Sequence, residues 1–303
     1  MDTVLEILNK TTAFFQRKGV PDPRLDAQYI ISHGLKMKSR MDLYLNFEKP
    51  LTEAELAELR PLVARRANRE PLQHIIGDTS FRGFRIKCDG RALIPRPETE
   101  QLVDMAKECL GALVCTEESP SRNIVEIGTG SGAISIACAK EIQGAKVFAS
   151  DISDEALALA RENAEINELS IDSENSSLTF AQGHLLKPWE TQGPSKIHCI
   201  IANLPYIPDG EKENLQPEVA KFDPALALFG GADGLDLIRQ MLQQTMLFVE
   251  KGILVSGVSI LLEIGSEQGE MLKNEAGNYP WLTFVKAHKD YCDNIRFVQY
   301  KVK

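Results

Sequence analysis

Two short stretches of this sequence carry residue types at spacings that can do chemistry. The first is IVEIGTGSGAISIA, residues 124–137, where an apolar strand pattern meets Gly128, Gly130 and Gly132 and then a helical pattern. Glycines let a backbone turn sharply and approach a ligand closely, and the free N–H groups of a helix start favour an anionic group such as a carboxylate or phosphate. Asp151 ends the next apolar run, where its carboxylate can accept both hydroxyls of a ribose. Together they predict a nucleoside-bearing cofactor. Gly128, Gly130 and Ala133 also satisfy the dinucleotide spacing G-x-G-x-x-[GA]. On this site alone methyltransferase and dehydrogenase both stay open, and the bare structural alternative is a tight strand-to-helix turn.

The second stretch is CIIANLPYIP, residues 199–208, an apolar run that stops on Asn203, Leu204, Pro205 and Tyr206. In an open α/β sheet, ligands bind beyond the carboxyl ends of the strands near the switch point, so a strand over 197–202 delivers Asn203 to that edge. Leu204 precedes a proline and is pushed towards extended backbone, and Pro205 has a fixed φ, so the turn is stiff. The Asn203 side-chain oxygen and the Leu204 carbonyl can then accept both N–H groups of a planar NH₂, with the Tyr206 ring against its face. Holding both hydrogens aligns the nitrogen lone pair with an electrophilic methyl, which suits methyl transfer to an amide or an exocyclic amine. No general base is required, because a methylated amide cation is a strong acid. No Ser/His/Asp or Cys/His arrangement competes with this reading.

The elements that must position these residues follow from periodicity. Residues 3–18, 23–36 and 52–69 place apolar side chains at helical spacing, Thr52 with Glu55 forms a capping box, and Gly19 and Gly34 are helix stops. The first 70 residues read as a small helical bundle. From 75 to 94 the period changes to that of a short hairpin, punctuated by Gly77, Gly83 and Gly90. Apolar runs at 124–127, 146–150, 178–181, 197–202 and 260–264 then alternate with helical patterns such as 154–169 and 235–249, which predicts a doubly wound α/β sheet. Two last β-like runs, 282–287 and 295–302, leave no room for a crossover helix and should pair antiparallel at one end of that sheet. Stretches 116–122 and 170–177 read as polar surface loops.

A net charge of −9, with the first 80 residues nearly balanced, argues against broad electrostatic binding to nucleic acid. The six cysteines, Cys88, Cys109, Cys115, Cys138, Cys199 and Cys292, show no C-x-x-C spacing and read as buried reduced thiols, with no metal site. Asp2 and Glu6 stand where a signal peptide needs basic and then apolar residues, and the longest apolar run, 253–262, is about half a membrane span. A cytoplasmic protein with no membrane partner is expected.

The sequence from about Arg65 onward resembles the HemK/PrmC family, protein glutamine methyltransferases that act on peptide chain release factors. The resemblance rests on EPLQHIIGDTSFRGFRIKCDGRALIPRPETEQLVD (70–104) with its IPRPETE segment, on GGADGLDLIR (230–239), on LLEIGSEQ (261–268), and on the Lys289, Asp290 and Arg296 ending. It implies a Rossmann-like, seven-stranded methyltransferase domain over 96–303, a hairpin linker over 73–95, and a helical substrate-docking domain over 1–72. It implies S-adenosylmethionine as donor, giving S-adenosylhomocysteine, held by Gly128, Thr129, Gly130, Ser131, Gly132, Asp151 and Asn203. The substrate glutamine, in the Gly-Gly-Gln motif of class I release factors, is implied to sit against Asn203, Leu204, Pro205 and Tyr206, with translation termination as the process modulated. Arg96 and Thr99 are implied to be cofactor- or substrate-adjacent.

Two positions depart from the family pattern. Its tetrapeptide is Asn-Pro-Pro-Tyr, and Leu204 in place of the first proline gives up rigidity worth on the order of 1 kcal/mol or less. GHL at 183–185 stands where the family has Gly-Asp. His184 can replace that Asp towards the adenine amine only through an acceptor nitrogen, and Leu185 packs on the adenine ring. Asn-Leu-Pro-Tyr also resembles the tetrapeptide of ribosomal RNA adenine dimethyltransferases. A nucleic-acid amino-methyltransferase is therefore the competing expectation, and a donor-binding assembly protein that has lost catalysis is the third. The acidic charge and the absence of a long basic stripe speak against nucleic acid as the direct substrate.

Overall fold

The computed structural model describes residues 1–111, 121–173 and 176–303. Cys115 and parts of the two polar stretches, 116–122 and 170–177, lie outside them. The chain opens with helices α1 (Val4–Arg17), α2 (Pro23–Gly34), α3 (Arg40–Leu45), α4 (Glu53–Ala67) and α5 (Leu72–Ile76), then strands β1 (Asp78–Phe81) and β2 (Phe84–Lys87). Next come a 3₁₀ turn at Pro97–Thr99, α6 (Glu100–Gly111), β3 (Arg122–Ile127), α7 (Ala133–Glu141), β4 (Ala145–Asp151), α8 (Asp154–Ile166) and β5 (Leu178–Gln182). The remainder is α9 (Trp189–Gln192), β6 (Ile197–Ala202), α10 (Pro217–Phe222), α11 (Asp236–Glu250), β7 (Leu254–Glu263), α12 (Gln268–Asn274), β8 (Leu282–Lys289) and β9 (Ile295–Val302). Two units emerge: Met1–Asp78 with Leu215–Phe222, and Thr79–Asn214 with Asp223–Lys303.

In the helical unit, α1 and α4 start as the capping boxes dictate. Thr52 Oγ1 accepts from the Glu55 N–H at 3.2 Å and the Glu55 carboxylate accepts from the Thr52 N–H at 2.9 Å. The core is Val4, Leu8, Phe15, Ile30, Ile31, Leu43 and Leu59, with Ile75 from α5. The short helices α3 and α5 escape the periodicity reading because six and five residues are too few to show a 3.6 repeat.

A buried ionic cluster also belongs to this unit. Arg66, 4% exposed, binds Asp26 at 2.6 Å and Glu218 of α10 at 2.9 Å, and Arg69 forks onto the same Glu218 carboxylate. Burial raises the Asp26 carboxyl despite Arg66. It works in the same sense on Glu218, where the bonds from Arg69 and Arg66 win and hold the carboxyl below its usual range. Arg66 is thus a buried side chain shared between two carboxylates. Glu218→Ala leaves a buried guanidinium half-paired and is expected to cost roughly 3 kcal/mol, read as faster amide hydrogen exchange through α4. Exchange in α4 indistinguishable from the unmodified protein would show that the cluster adds no stability.

The second unit carries a seven-stranded sheet in the order β5-β4-β3-β6-β7-β9-β8. Strands β3 to β7 pair parallel, β9 runs antiparallel to β7, and β8 antiparallel to β9 at the edge. This is the doubly wound sheet with a terminal antiparallel pair that the alternating pattern predicts. Side chains alternate across it: Val125, Ile127, Ile200 and Leu262 enter one core, and Ile124, Ile201 and Leu261 the other. β7 starts at Leu254, earlier than 260–264, and the Val255–Ser256–Gly257 part that it adds is exposed. The β1–β2 hairpin contributes Phe81 and Ile86 to the sheet's core, and Asn163 of α8 bonds both the N–H and the carbonyl of Lys87.

The five described cysteines form no disulfide. Cys88, Cys138 and Cys199 are buried, Cys109 is half-buried, and Cys292 is exposed, contrary to the expectation of burial for all. Cys292 sits in the β8–β9 turn, where there is no core to enter. Among the described residues no helix is long and apolar enough to cross a membrane, and no cluster of His, Cys, Asp or Glu is placed to hold a metal ion.

Candidate active site

The strand order turns back between β3 and β6, so the loops after these two strands open a crevice at the carboxyl edge of the sheet. The loop after β3 is held from within. The N–H groups of Gly128 and Thr129 both donate to the Ser150 carbonyl, at 2.8 and 3.0 Å, and Gly132 donates to the Thr129 carbonyl at 2.8 Å. Gly130 donates to Asp151 Oδ2 at 2.9 Å. Gly132 has φ +82°, and a Cβ there would meet Ala160 of α8 at 3.1 Å, so the loop needs glycine both for conformation and for helix approach. At Gly128, with φ +72°, a Cβ would meet Leu204 Cδ2 at 3.1 Å.

These bonds correct one expectation. The N–H groups of Gly128, Thr129, Gly130 and Gly132 are taken up by Ser150, Asp151 and Thr129, so these four are not free for an anion. Beside the first turn of α7, Glu126, 1% exposed, accepts from Thr129 Oγ1 at 2.8 Å, and Ser135 Oγ donates to the Gly132 carbonyl at 3.0 Å. Burial outweighs the Thr129 bond and pushes the Glu126 carboxyl up to about 8. The folded state thus holds a proton that the unfolded chain releases near pH 4.5. Stability is therefore expected to fall as pH rises from about 4.5 to about 8, by up to roughly 5 kcal/mol. Glu126→Gln should flatten that slope in thermal melts of the ligand-free protein, and a melting temperature that still drops over this window would assign the effect to another group.

At the end of β4, Asp151 accepts from Gly130 through one oxygen and from the Ser153 N–H, at 2.9 Å, through the other. The carboxylate keeps acceptor capacity beyond these bonds. Burial raises this carboxyl, opposed by bonds from the Ser153, Gly130 and Ile152 backbone. After β5, Gly183 donates to the Asp151 carbonyl at 2.9 Å, and Ser150 Oγ donates to the Leu185 carbonyl at 3.1 Å. Leu185 is buried at φ +56°, left-handed backbone that a branched side chain rarely adopts, so its placement is imposed by these surroundings.

The turn after β6 is braced by the Gly230–Gly234 segment. Ile207 donates to the Leu228 carbonyl and Gly230 to the Ile207 carbonyl, both at 3.0 Å. A Cβ on Gly230 would lie 2.3 Å from the Pro205 oxygen, and one on Gly234 would lie 2.0 Å from the Tyr206 oxygen. Gln268 Nε2 ties the Tyr206 and Asp233 carbonyls together at 2.8 and 3.0 Å. Leu204 is buried in the core over Gly128, so bracing and packing hold a turn that lacks the first proline. Asn203 Nδ2 donates to Thr99 Oγ1 at 3.4 Å, and Thr99 Oγ1 donates to Glu263 Oε2 at 2.7 Å.

A cavity of about 240 Å³ joins these pieces. Of the residues singled out in the sequence, its wall includes Gly128, Thr129, Gly130, Ser131, Asp151, His184, Leu185, Asn203, Leu204, Pro205, Arg96 and Thr99. Gly132 and Tyr206 are not part of it. Gly132 is turned to α8, and the Tyr206 phenol faces Glu263, Arg96 and Arg296, with burial raising its pKa. The wall also includes residues the sequence reading did not single out: Glu126, Ile152, Ala156, Pro224 and Leu226. Glu126 carried a usable signal, an acid inside an apolar strand, as did Glu263. Pro224 and Leu226 follow α10 in a segment with no periodic pattern, and carried none.

Known proteins resemble this chain. The family model described as PrmC N-terminal domain matches residues 6–77, and the one described as Ribosomal protein L11 methyltransferase (PrmA) matches residues 104–204. The Release factor glutamine methyltransferase of Geobacter sulfurreducens is 36% identical over 269 residues, 88% of this chain and 86% of that protein. That of Deinococcus radiodurans is 35% identical over 294 residues, 97% of this chain and 96% of that protein. The MTRF1L release factor glutamine methyltransferase of Homo sapiens is 31% identical over 314 residues, 99% of this chain and 88% of that protein. Among solved structures, the N-terminal domain of human METTL16 in complex with SAH aligns with a TM-score of 0.53 at 14% identity, covering 84% of this chain and 95% of that one. That likeness is one of fold.

Proposed function

Because this chain belongs to the release factor glutamine methyltransferase family, we infer that it methylates the side-chain amide nitrogen of the glutamine in the Gly-Gly-Gln motif of class I peptide chain release factors, with S-adenosylmethionine as donor. The observation that carries this reading is a single cavity whose wall includes both the glycine loop with Asp151 and the turn at Asn203, Leu204 and Pro205. The reaction is assigned to the cytoplasm, with release factors as its substrates. Residues 1–72 are assigned the docking of the release factor, 73–95 the link, and 96–303 the chemistry.

The residues present fit such a donor. Asp151 keeps lone pairs for the ribose hydroxyls, Leu185 with Ile152 and Ala156 offers apolar surface to the adenine, and His184 at the same wall can offer an acceptor nitrogen to its amine. The tightly bonded loop of residues 128–132 holds these walls apart, and an ammonium beside the buried Glu126 carboxyl would draw it back towards the ionised form. When bound, the donor supplies a methyl group made electrophilic by its sulfonium. Asn203 Oδ1 and the Leu204 carbonyl accept the two N–H groups of the glutamine amide and so orient its nitrogen lone pair. The methylated amide releases one proton to water, so no side chain serves as base. Leu204 meanwhile seals the floor under Gly128.

The test is transfer of labelled methyl from S-adenosylmethionine to a purified release factor, to its Gly-Gly-Gln glutamine-to-alanine variant, and to ribosomal RNA. Label on the unmodified release factor alone is expected. Label on RNA would make an adenine amine the target, and donor binding without transfer to either would mean that the chain has lost catalysis.

A further inference from the structure

We propose that Thr99 and Glu263 form a positioning relay that fixes which way round the Asn203 amide faces the cavity. This rests on the reading of Asn203 as the acceptor for the substrate amide, and it adds a residue, Glu263, that does not line the cavity.

The argument is one of hydrogen count. A threonine hydroxyl has one hydrogen, and Thr99 gives it to Glu263 Oε2 at 2.7 Å. Towards Asn203 the same oxygen can only accept, and it is Nδ2 that donates to it, at 3.4 Å. Oδ1 is thereby left for the substrate. With the amide reversed, Oδ1 would face an oxygen that has no hydrogen to give, and the NH₂ would meet the substrate's own NH₂, donor against donor. Thr99 and Glu263 are 4% and 1% exposed, so the bond between them is shielded from water. The relay also accounts for an ionisable residue at the end of an apolar strand.

The direction of the relay depends on Glu263 being ionised. Burial raises its carboxyl above the usual range, while Arg296 of β9 and Arg96 before α6 pull it down and Glu98 pushes it up. The Tyr206 phenol faces it from the β6 turn. Once protonated, Glu263 can donate to Thr99, whose hydrogen is then released towards Asn203 Oδ1. Turnover should therefore fall as pH drops through the Glu263 titration.

The experiment compares Thr99→Val, Thr99→Ser and Glu263→Gln in the release-factor assay, with donor affinity by calorimetry and the Asn203 side-chain amide signals by ¹⁵N NMR of the ligand-free protein. Thr99→Val keeps the shape and is expected to lose roughly 10- to 100-fold in kcat, with KM for the release factor and donor Kd within about threefold. Thr99→Ser should restore most of the rate. In Glu263→Gln the positive field of Arg96 and Arg296 draws the amide oxygen, which leaves the NH₂ to donate to Thr99. Its kcat should be low and should lack the acid limb of the unmodified enzyme, and the Asn203 amide signals should shift in this variant and in Thr99→Val.

Unchanged kcat in Thr99→Val, unmoved Asn203 signals, or an acid limb that persists in Glu263→Gln would overturn the relay. A loss that Thr99→Ser fails to rescue and that carries donor affinity down with it would mean that Thr99 is structural only. No methylation by the unmodified protein would instead sink the functional reading, while the Asn203 signals would still report on the relay.

Discussion

Asn203→Ala is expected to lower methyl transfer to the release factor about 10³-fold, the size of loss that follows removal of one preorganised group at a reacting centre. The substitution removes the side-chain acceptor and leaves the Leu204 carbonyl alone to hold a substrate amide that must be held by both hydrogens. The fold should tolerate it. The side chain is half-buried, its one bond to Thr99 is long at 3.4 Å, and the turn is held by backbone bonds at Ile207 and Gly230 and by Gln268. Single-turnover rates with labelled donor, beside calorimetric donor binding, check this. A variant that keeps more than about a tenth of the rate would remove Asn203 from the transition state.

Asp151→Ala is expected to weaken donor binding at least ~100-fold and to loosen the glycine loop at the same time. The carboxylate accepts from both Gly130 and Ser153, so its removal orphans two backbone N–H groups beside a buried strand end, at about 1–3 kcal/mol each. Asp151→Asn keeps one acceptor oxygen and should fall between the two in donor Kd and in melting temperature. Because burial raises the Asp151 carboxyl, donor affinity should also decline as pH is lowered through its titration, when the ribose acceptor gains a proton. Calorimetry across pH reads all three. Unchanged donor Kd in the alanine variant would place the ribose elsewhere.

Much of the site was legible because its constraints are local. Gly128, Gly130 and Gly132 between a strand and a helix, Asp151 at the next strand end, and Pro205 after Asn203 and Leu204 each restrict their own backbone or that of a neighbour. The short helices α3 and α5 were not legible, since a helical repeat needs more residues than they have. Residues 170–177 and 116–122 offered only polarity. The loop N–H groups misled for a physical reason: a turn tight enough to need glycine also brings its donors within reach of Ser150, Asp151 and Thr129.

The periodicity of the chain determined by itself the doubly wound sheet, the helical first unit, and the delivery of the glycine loop and Asn203 to strand ends. These properties depend on residues within one or two turns of each other. Only the tertiary structure decided the partners. Thr99 meets Asn203 across 104 positions and Glu263 across 164, and Arg66 meets Glu218 across 152. The Gly230–Gly234 segment closes on Pro205 and Tyr206 because no side chain intervenes. A buried acid must be answered by whichever donor the fold brings to it. That donor is chosen by sheet order and helix packing, and no window along the chain contains both groups.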